Sequence, residues 1–262
     1  MLAHQRQTVI LEHLRRTGGV RVSELTSLFG VSDMTVRRDL RRMEADGVIA
    51  KVHGGAVLDE GVRRVADEPS FAAKIALEQP AKQAIAARAA ELVEPGTAIA
   101  VSAGTTTWAM AAHLAKIASL TVVTNSITVG ETIAELGDPS QQIVILTGGV
   151  RTPSAALVGP IADLTAQALY VDQLFVGAYG LDPVAGLTSP NLAEAETNRS
   201  LLSRCRRVVV LADSTKWRNI GLASWGALAD VDVLITDDGL PAEARSELKE
   251  HVAELMIVDV PR

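Results

Sequence analysis

The sequence predicts an α/β protein in two parts: a small helical unit with a β ribbon at the N-terminus, and a larger layered unit on a largely parallel sheet. Three observations predict it. In residues 1–58, three stretches with apolar residues at helical spacing lead into two short β runs. From about Ala73 onward, helical patterns alternate with short apolar runs, as in a layered domain whose strands are joined by helices. Between the two, residues 59–72 (DEGVRRVADEPSFA) are polar, contain a proline, and read as a linker.

The first helix runs from about Ala3 to Thr17, with Val9, Ile10 and Leu14 on one face and Gly18-Gly19 as its stop. Val22, Leu25, Leu28 and Phe29 give the second helix one apolar face, and Gly30 stands where a left-handed cap ends a helix. Ser32 is placed as the N-cap of the third helix, with Asp33 in its first turn. Met34, Val36, Leu40 and Met43 are its expected buried positions. Arg37 stacks over Arg41 and Arg38 over Arg42, and Asp39, Glu44 and Asp46 are expected to relieve part of their repulsion. Gly47 ends that helix. Val48 to Val52 and Ala56 to Leu58 read as two strands joined through Gly54-Gly55.

Four like charges on one helix are a poor choice for stability alone; a polyanion relieves them. Helix, turn, second helix, β run and glycine pair together make a winged helix-turn-helix, whose arginine-bearing helix is shaped for a DNA groove. The expected partner is double-stranded operator DNA. Arg37 and Arg38 are the candidate base readers, and Arg41 lies along the same helix. Ser32 and Thr35 are placed near the backbone or a thymine methyl. In the wing, Lys51, His53 and Gly54 are placed against phosphate, with His53 as a donor rather than a metal ligand.

Charge is divided in the same way. The chain of 262 residues carries −6 overall, but residues 1–58 hold nine Lys/Arg against six Asp/Glu, and residues 59–262 hold sixteen against twenty-five. A basic arm that meets nucleic acid and an acidic body that does not are the expectation. The core is largely Ala, Val, Leu and Ile, because aromatic residues are only 3% of a 48% hydrophobic chain. Cys205 is the one cysteine, so no internal disulfide forms; it reads as a small apolar residue in a helix. No apolar run is long enough to span a membrane, and MLAHQRQTVI lacks the order of a secretory signal, so a cytoplasmic location is expected.

In the larger unit the strands are expected at Ala98–Val101, Leu120–Thr124, Gln142–Thr147, Val171–Gly177, Arg207–Ala212, Val231–Thr236 and Met256–Val260. Helices at about 80–93, 105–117, 126–136, 161–169, 191–204 and 241–250 cover the faces. A Rossmann-like sheet of this kind binds ligands beyond the carboxyl ends of its strands. Those ends carry small, hydroxylated and glycine residues: Ser102, Gly104, Thr105 and Thr106; Asn125 and Ser126; Gly148 and Gly149, then Arg151; Gly177 and Gly180; Asp213 and Lys216. Helix N-termini with such residues present N–H groups to an anion, and Arg151 and Lys216 offer counter-charge. Ordinary turn and capping chemistry favours the same residues at any one loop, but five such loops on one sheet point to an anionic, hydroxylated ligand.

The motifs resemble those of DeoR-type transcriptional regulators. V-S-x-x-T-V-R-R-D-L at 31–40 and His53-Gly54-Gly55-Ala56 carry the likeness in the winged helix, with Lys51 where an arginine is common. Ser102 to Lys216 is similar to the family's sensor domain, which is related to ribose-5-phosphate isomerase and to CoA transferases. The resemblance implies a phosphorylated-sugar effector held at Gly104-Thr105-Thr106, Asn125-Ser126, Gly148-Gly149, Gly177, Gly180, Asp213 and Lys216. Ser102 departs from the family's usual Asp. A sugar-responsive repressor of a carbohydrate catabolic operon is the expected function, with an activator as the alternative; holding two winged helices at operator spacing calls for a homo-oligomer, expected to form through the α/β domains.

A sugar-phosphate isomerase with a DNA-binding arm is the other class. Isomerisation needs a carboxylate base near the carbonyl. Tyr179 and Gly180 follow the strand where the isomerases carry acids, Asp182 comes only afterwards, Asp172 starts the strand, and Glu194 and Glu196 lie on a later helix. His113 and His251 sit on helices with no Ser or Cys partner, and no cluster has metal-ligand spacing. An enzyme is therefore not expected, nor any cofactor.

Overall fold

In the N-terminal part, α1 (Ala3–Thr17), α2 (Val22–Phe29) and α3 (Asp33–Ala45) enclose a core of Ile10, Leu14, Leu25, Val36, Leu40 and Met43, all buried. The computed structural model describes residues 3–17, 19–45, 48–52, 55–58, 71, 75 and 77–260. Gly30, with φ 62°, closes α2, and its N–H donates to Thr26 O at 3.0 Å. Ser32 caps α3, its Oγ accepting from Thr35 N–H at 3.3 Å and lying 2.9 Å from Thr35 Oγ1.

Three strands close this unit in the order β1 (Gly19–Arg21), β3 (Gly55–Leu58), β2 (Ile49–Val52). The strand at Gly19 stands where the sequence suggested only a helix stop. It explains Gly55: a Cβ there would lie 2.1 Å from Val20 O, so β1 approaches only a glycine. Two expectations for the helices are corrected. Met34 is 78% exposed and Leu28 56% exposed, because their neighbours Val36 and Leu25 already fill the core. Asp39 is not among the surface arginines but buried, its Oδ2 accepting from Arg6 Nε at 2.7 Å.

The chain divides into two compact units, residues 1–76 and 77–262. The second is built on seven parallel strands in the order β6 (Gln142–Leu146), β5 (Leu120–Thr124), β4 (Ala98–Val101), β9 (Val171–Gly177), β12 (Cys205–Leu211), β14 (Val233–Asp237), β15 (Glu254–Val258). The chain moves one way from β4 to β6, then returns and moves the other way from β9. This is a doubly wound order, with its switch point between β4 and β9. Phe175, Ile99, Leu174, Val209 and Ile235 are buried on both faces, under α4 (Gln79–Ala90), α5 (Thr105–Leu114), α6 (Ile127–Leu136), α7 (Pro160–Ala168), α8 (Leu192–Leu202) and α9 (Ala242–His251). Parallel strands covered on both faces read as unbroken apolar runs, which is why the sequence shows them.

Two smaller features leave no mark in the sequence pattern. A hairpin joins β7 (Val150–Arg151) to β8 (Leu157–Val158), and a three-stranded antiparallel sheet joins β10 (Gly180–Asp182), β11 (Gly186–Ser189) and β13 (Ala223–Gly226). Cys205 opens β12, paired with Val171, and is not helical. Burial, with Asp232 nearby, pushes its thiol up to about 11, so it is protonated and unreactive at neutral pH. No described helix is long and apolar enough to cross a membrane.

Candidate DNA-binding helix and effector site

On α3, Arg37, Arg38, Arg41 and Arg42 are all exposed. Arg37 is held by Asp33 one turn before it, and that carboxylate raises its pKa. Arg38, Arg41 and Arg42 have no ion-pair partner among the described residues. Thus α3 presents three uncommitted guanidinium groups and one oriented from its own helix, with the Ser32 and Thr35 hydroxyls at its start. Beneath them the Arg6–Asp39 pair pins α3 to α1. Sequence reasoning missed this pair because its members stand far apart in the chain. Lys51 lies on β2, whose register with β3 leaves two residues between Val52 and Gly55. His53 and Gly54 lie outside the described residues.

In the larger unit, the five loops singled out in the sequence come after β6, β5, β4, β9 and β12. These are five consecutive positions of the sheet order, so the loops share one end of the sheet. Several of the named residues build the floor. Ser102 N–H donates to Phe175 O at 2.9 Å, and Ser102 Oγ accepts from Gly177 N–H at 3.2 Å. Ser102 therefore staples β4 to β9 across the switch point. Asn125 uses both ends of its amide: Oδ1 accepts from Ala103 N–H at 2.8 Å, and Nδ2 donates to Leu157 O at 3.2 Å. Ser126 caps α6, accepting from Val129 N–H at 3.2 Å. Gly148 and Gly149 have φ of 71° and 112°, and turn the chain from β6 into the β7 hairpin. Arg151 is exposed on β7.

Others keep polar capacity to spare. Thr105 and Thr106 form the first turn of α5 and are buried; a first helical turn has N–H groups with no intrahelical acceptor. Asp213 is also buried. Its Oδ1 accepts from Thr215 N–H at 3.1 Å and from the Thr215 hydroxyl. Its Oδ2 has no hydrogen-bond partner and lies 3.7 Å from Lys216 Nζ. A buried acceptor without a donor is rare and costs free energy unless something supplies one.

Asp237, at the end of β14, was not singled out by sequence. It holds the 213–216 turn by accepting from Ser214 N–H at 2.6 Å and Ser214 Oγ at 2.8 Å. Gly180 has a packing reason: a Cβ would lie 1.9 Å from Asn219 O. Asp182 is tied into its own hairpin. Backbone N–H of Ala185 foremost, then of Val184, with Arg218 near, hold its carboxyl below the usual range, so it is a poor base. Glu194 accepts from Thr152 Oγ1 at 2.7 Å and from Ser154 Oγ.

Residues 6–62 match the DeoR-like helix-turn-helix domain, and residues 77–238 match the DeoR C terminal sensor domain. An uncharacterized HTH-type transcriptional regulator YgbI of Escherichia coli is 38% identical over 98% of both chains. The putative aga operon transcriptional repressor of Escherichia coli O157:H7 is 31% identical over 97% of this chain and 93% of that one. HTH-type transcriptional regulator GlpR of Haloferax volcanii is 34% identical over 99% and 98%. Among solved structures, a D-ribose-5-phosphate isomerase in complex with phospho-erythronic acid is 20% identical, covers 53% of this chain and 54% of that one, and has a TM-score of 0.39. The helix-turn-helix match over residues 6–62 and the sensor-domain match over residues 77–238 show that this chain belongs to the DeoR family of DNA-binding transcriptional regulators.

Proposed function

We propose that the protein represses a carbohydrate catabolic operon and leaves its operator when a phosphorylated sugar binds across the strand ends of the sensor domain. The observation that carries this is the buried, unpartnered Oδ2 of Asp213 beside Lys216. A sugar hydroxyl donates to that oxygen. The phosphate meets the first turn of α5 at Thr105 and Thr106, where orphan N–H groups and the helix dipole favour an anion. Lys216, together with Arg151 on the β7–β8 hairpin, supplies counter-charge. Asn125, Ser126, Ser102, Gly148, Gly149, Gly177 and Gly180 shape the loops that present these groups. A relative named as an aga operon repressor supports the repressor reading.

Binding changes DNA affinity only through differential affinity for the two states of the protein; a tenfold loss of operator affinity needs about 1.4 kcal/mol of coupling. Two copies hold two winged helices at paired half-sites, so the working form is a homo-oligomer.

The test is a panel of sugar phosphates and their neutral parents in thermal-shift and operator-release assays. A phosphorylated sugar is expected to raise the melting temperature and release DNA, and its neutral parent to do much less. Thr105→Val and Lys216→Ala are expected to abolish both responses while operator affinity stays unchanged, since each charge-assisted hydrogen bond contributes roughly 1.5–3 kcal/mol. Normal responses in the variants, or responses to neutral sugars alone, refute the site.

DNA contact is tested separately. Arg37→Ala and Arg38→Ala are expected to cost roughly 1–3 kcal/mol of operator discrimination. Lys51→Ala is expected to weaken all sequences alike and flatten the salt slope by about one phosphate contact. Gel-shift titrations at several salt concentrations separate the two. Wild-type discrimination in both arginine variants places the reading helix elsewhere.

A further inference from the structure

We infer that the β6 edge of the sensor sheet is the surface on which a second copy of this chain docks, the two β6 strands pairing antiparallel about a two-fold axis. This rests on the proposed function, in which the working form holds two copies, and it names their interface.

The two edges of the seven-stranded sheet differ in kind. β15 begins at Glu254, which lies 3.8 Å from Arg207, and Asp259 comes just after its end, so charge guards that edge. β6 has no such guard. From Pro139 to Val150 the chain reads PSQQIVILTGGV, without a charge, and β6 itself holds no proline. Among the described residues nothing pairs with it beyond β5. An apolar edge strand with free backbone N–H and C=O groups is a template for another strand, and soluble proteins cover or charge such edges.

Side chains around the edge agree. Ile143 is 61% exposed, and Leu136, Leu146, Val150, Ile161 and Leu164 are exposed as well. They border the edge on both faces of the sheet, since Ile143 and Leu146 point to opposite sides of the strand. Leu146 and Val144 lie over Gly130 of α6, with Leu146 Cδ2 2.9 Å from where a Cβ of Gly130 would stand. At the other end Ile161 Cγ2 lies 3.3 Å from the corresponding point of Gly148. Those on the face of Ile143 supply part of the ~800 Å² per partner of a standard stable interface, and the paired strands supply backbone hydrogen bonds beside them.

The strand is also its own complement. Residues 143–145 read Ile-Val-Ile. Antiparallel pairing centred on Val144 sets Ile143 beside the partner subunit's Ile145, and an isologous contact makes the converse pair. The two sheets become one across the axis, with Ile143 and the partner subunit's Ile143 diagonal neighbours on one face.

The experiment is light scattering after size-exclusion chromatography of the full chain at micromolar concentration, without DNA or effector. The wild type is expected to be an oligomer, and Ile143→Lys to halve its molar mass. Ile143→Glu is expected to do the same, and mixing the two variants to restore the wild-type mass, a result that misfolding does not give. Val184→Lys, at a fully exposed hairpin tip, is the control and leaves the mass unchanged. Ile143→Lys is further expected to bind a two-half-site operator at least tenfold more weakly, yet a single half-site like the wild type. A monomeric wild type, wild-type mass in Ile143→Lys, or failure of the mixed variants to reassociate overturns the assignment. Loss of single-half-site binding in Ile143→Lys, or absence of any sugar-phosphate response in the wild type, refutes the functional reading instead.

Discussion

Asp39→Ala is expected to unfold the winged helix and abolish operator binding, while the sensor domain still melts as a unit. Removing Asp39 takes from the buried Arg6 its charged partner on α3, and breaking a buried ion pair costs about 3–5 kcal/mol. Arg6 and Asp39 are 7% and 5% exposed in their side chains and 2.7 Å apart. A unit of about sixty residues has on the order of 3–9 kcal/mol of stability in all, so that loss takes most of it. Circular dichroism melting of the full chain and a gel shift read the two consequences. The replacement Arg6→Met with Asp39→Leu is expected to recover the fold, since an apolar pair of similar volume removes the desolvation cost. If it recovers DNA binding too, the pair acts only by holding α3 on α1. Wild-type melting and operator affinity in Asp39→Ala would show that the pair contributes nothing.

Gly180→Ala carries the second large effect. The added methyl would lie 1.9 Å from Asn219 O and 2.5 Å from its carbon, both backbone, so no side chain can swing aside. Overpacking typically costs 1–3 kcal/mol and more where backbone must move; about 3 kcal/mol is expected here. The segment forced to shift is the one after Lys216: Asn219 N–H donates to Lys216 O at 3.2 Å. A lower melting temperature without any effector, together with a weakened effector response, is the expected pair of results. An unchanged melting temperature with a lost response would instead make Gly180 a ligand contact. Gly177→Ala is the contrast, since a Cβ there meets only Leu211 O at 3.9 Å and is expected to be tolerated.

The five inner parallel strands were legible because each is a short apolar run covered on both faces, and the edge strands β6 and β15 because they are apolar runs of the same length, though more exposed. The alternation of runs and helices was enough for the layered class. The order, with its reversal between β4 and β9, is set by packing across the sheet and leaves no local mark. β7, β8 and β10 escaped notice because two or three residues are too few to show a period. Among site residues, those at strand ends could be named from glycine and hydroxyl content, but their division of labour could not. Whether Asn125 holds Ala103 and Leu157 or faces outward depends on chain segments distant in sequence. The same holds for Asp39 and Asp237, whose partners Arg6 and Ser214 lie on other elements.

The switch point also constrains how the protein is made. Ile99 of β4 pairs with Gln173 of β9, so the centre of the sheet joins segments that leave the ribosome far apart in time. The winged helix, whose contacts lie within its first sixty residues, is complete first. β4, β5 and β6 then associate through successive crossovers, but β4 presents an open side until β9 has been synthesised. Closing so long a loop is slow, and the sheet stays exposed for that interval. A chain truncated between Leu157 and Val171 would therefore carry a folded DNA-binding arm on an unfinished sheet, and its expected fate is aggregation rather than constitutive repression.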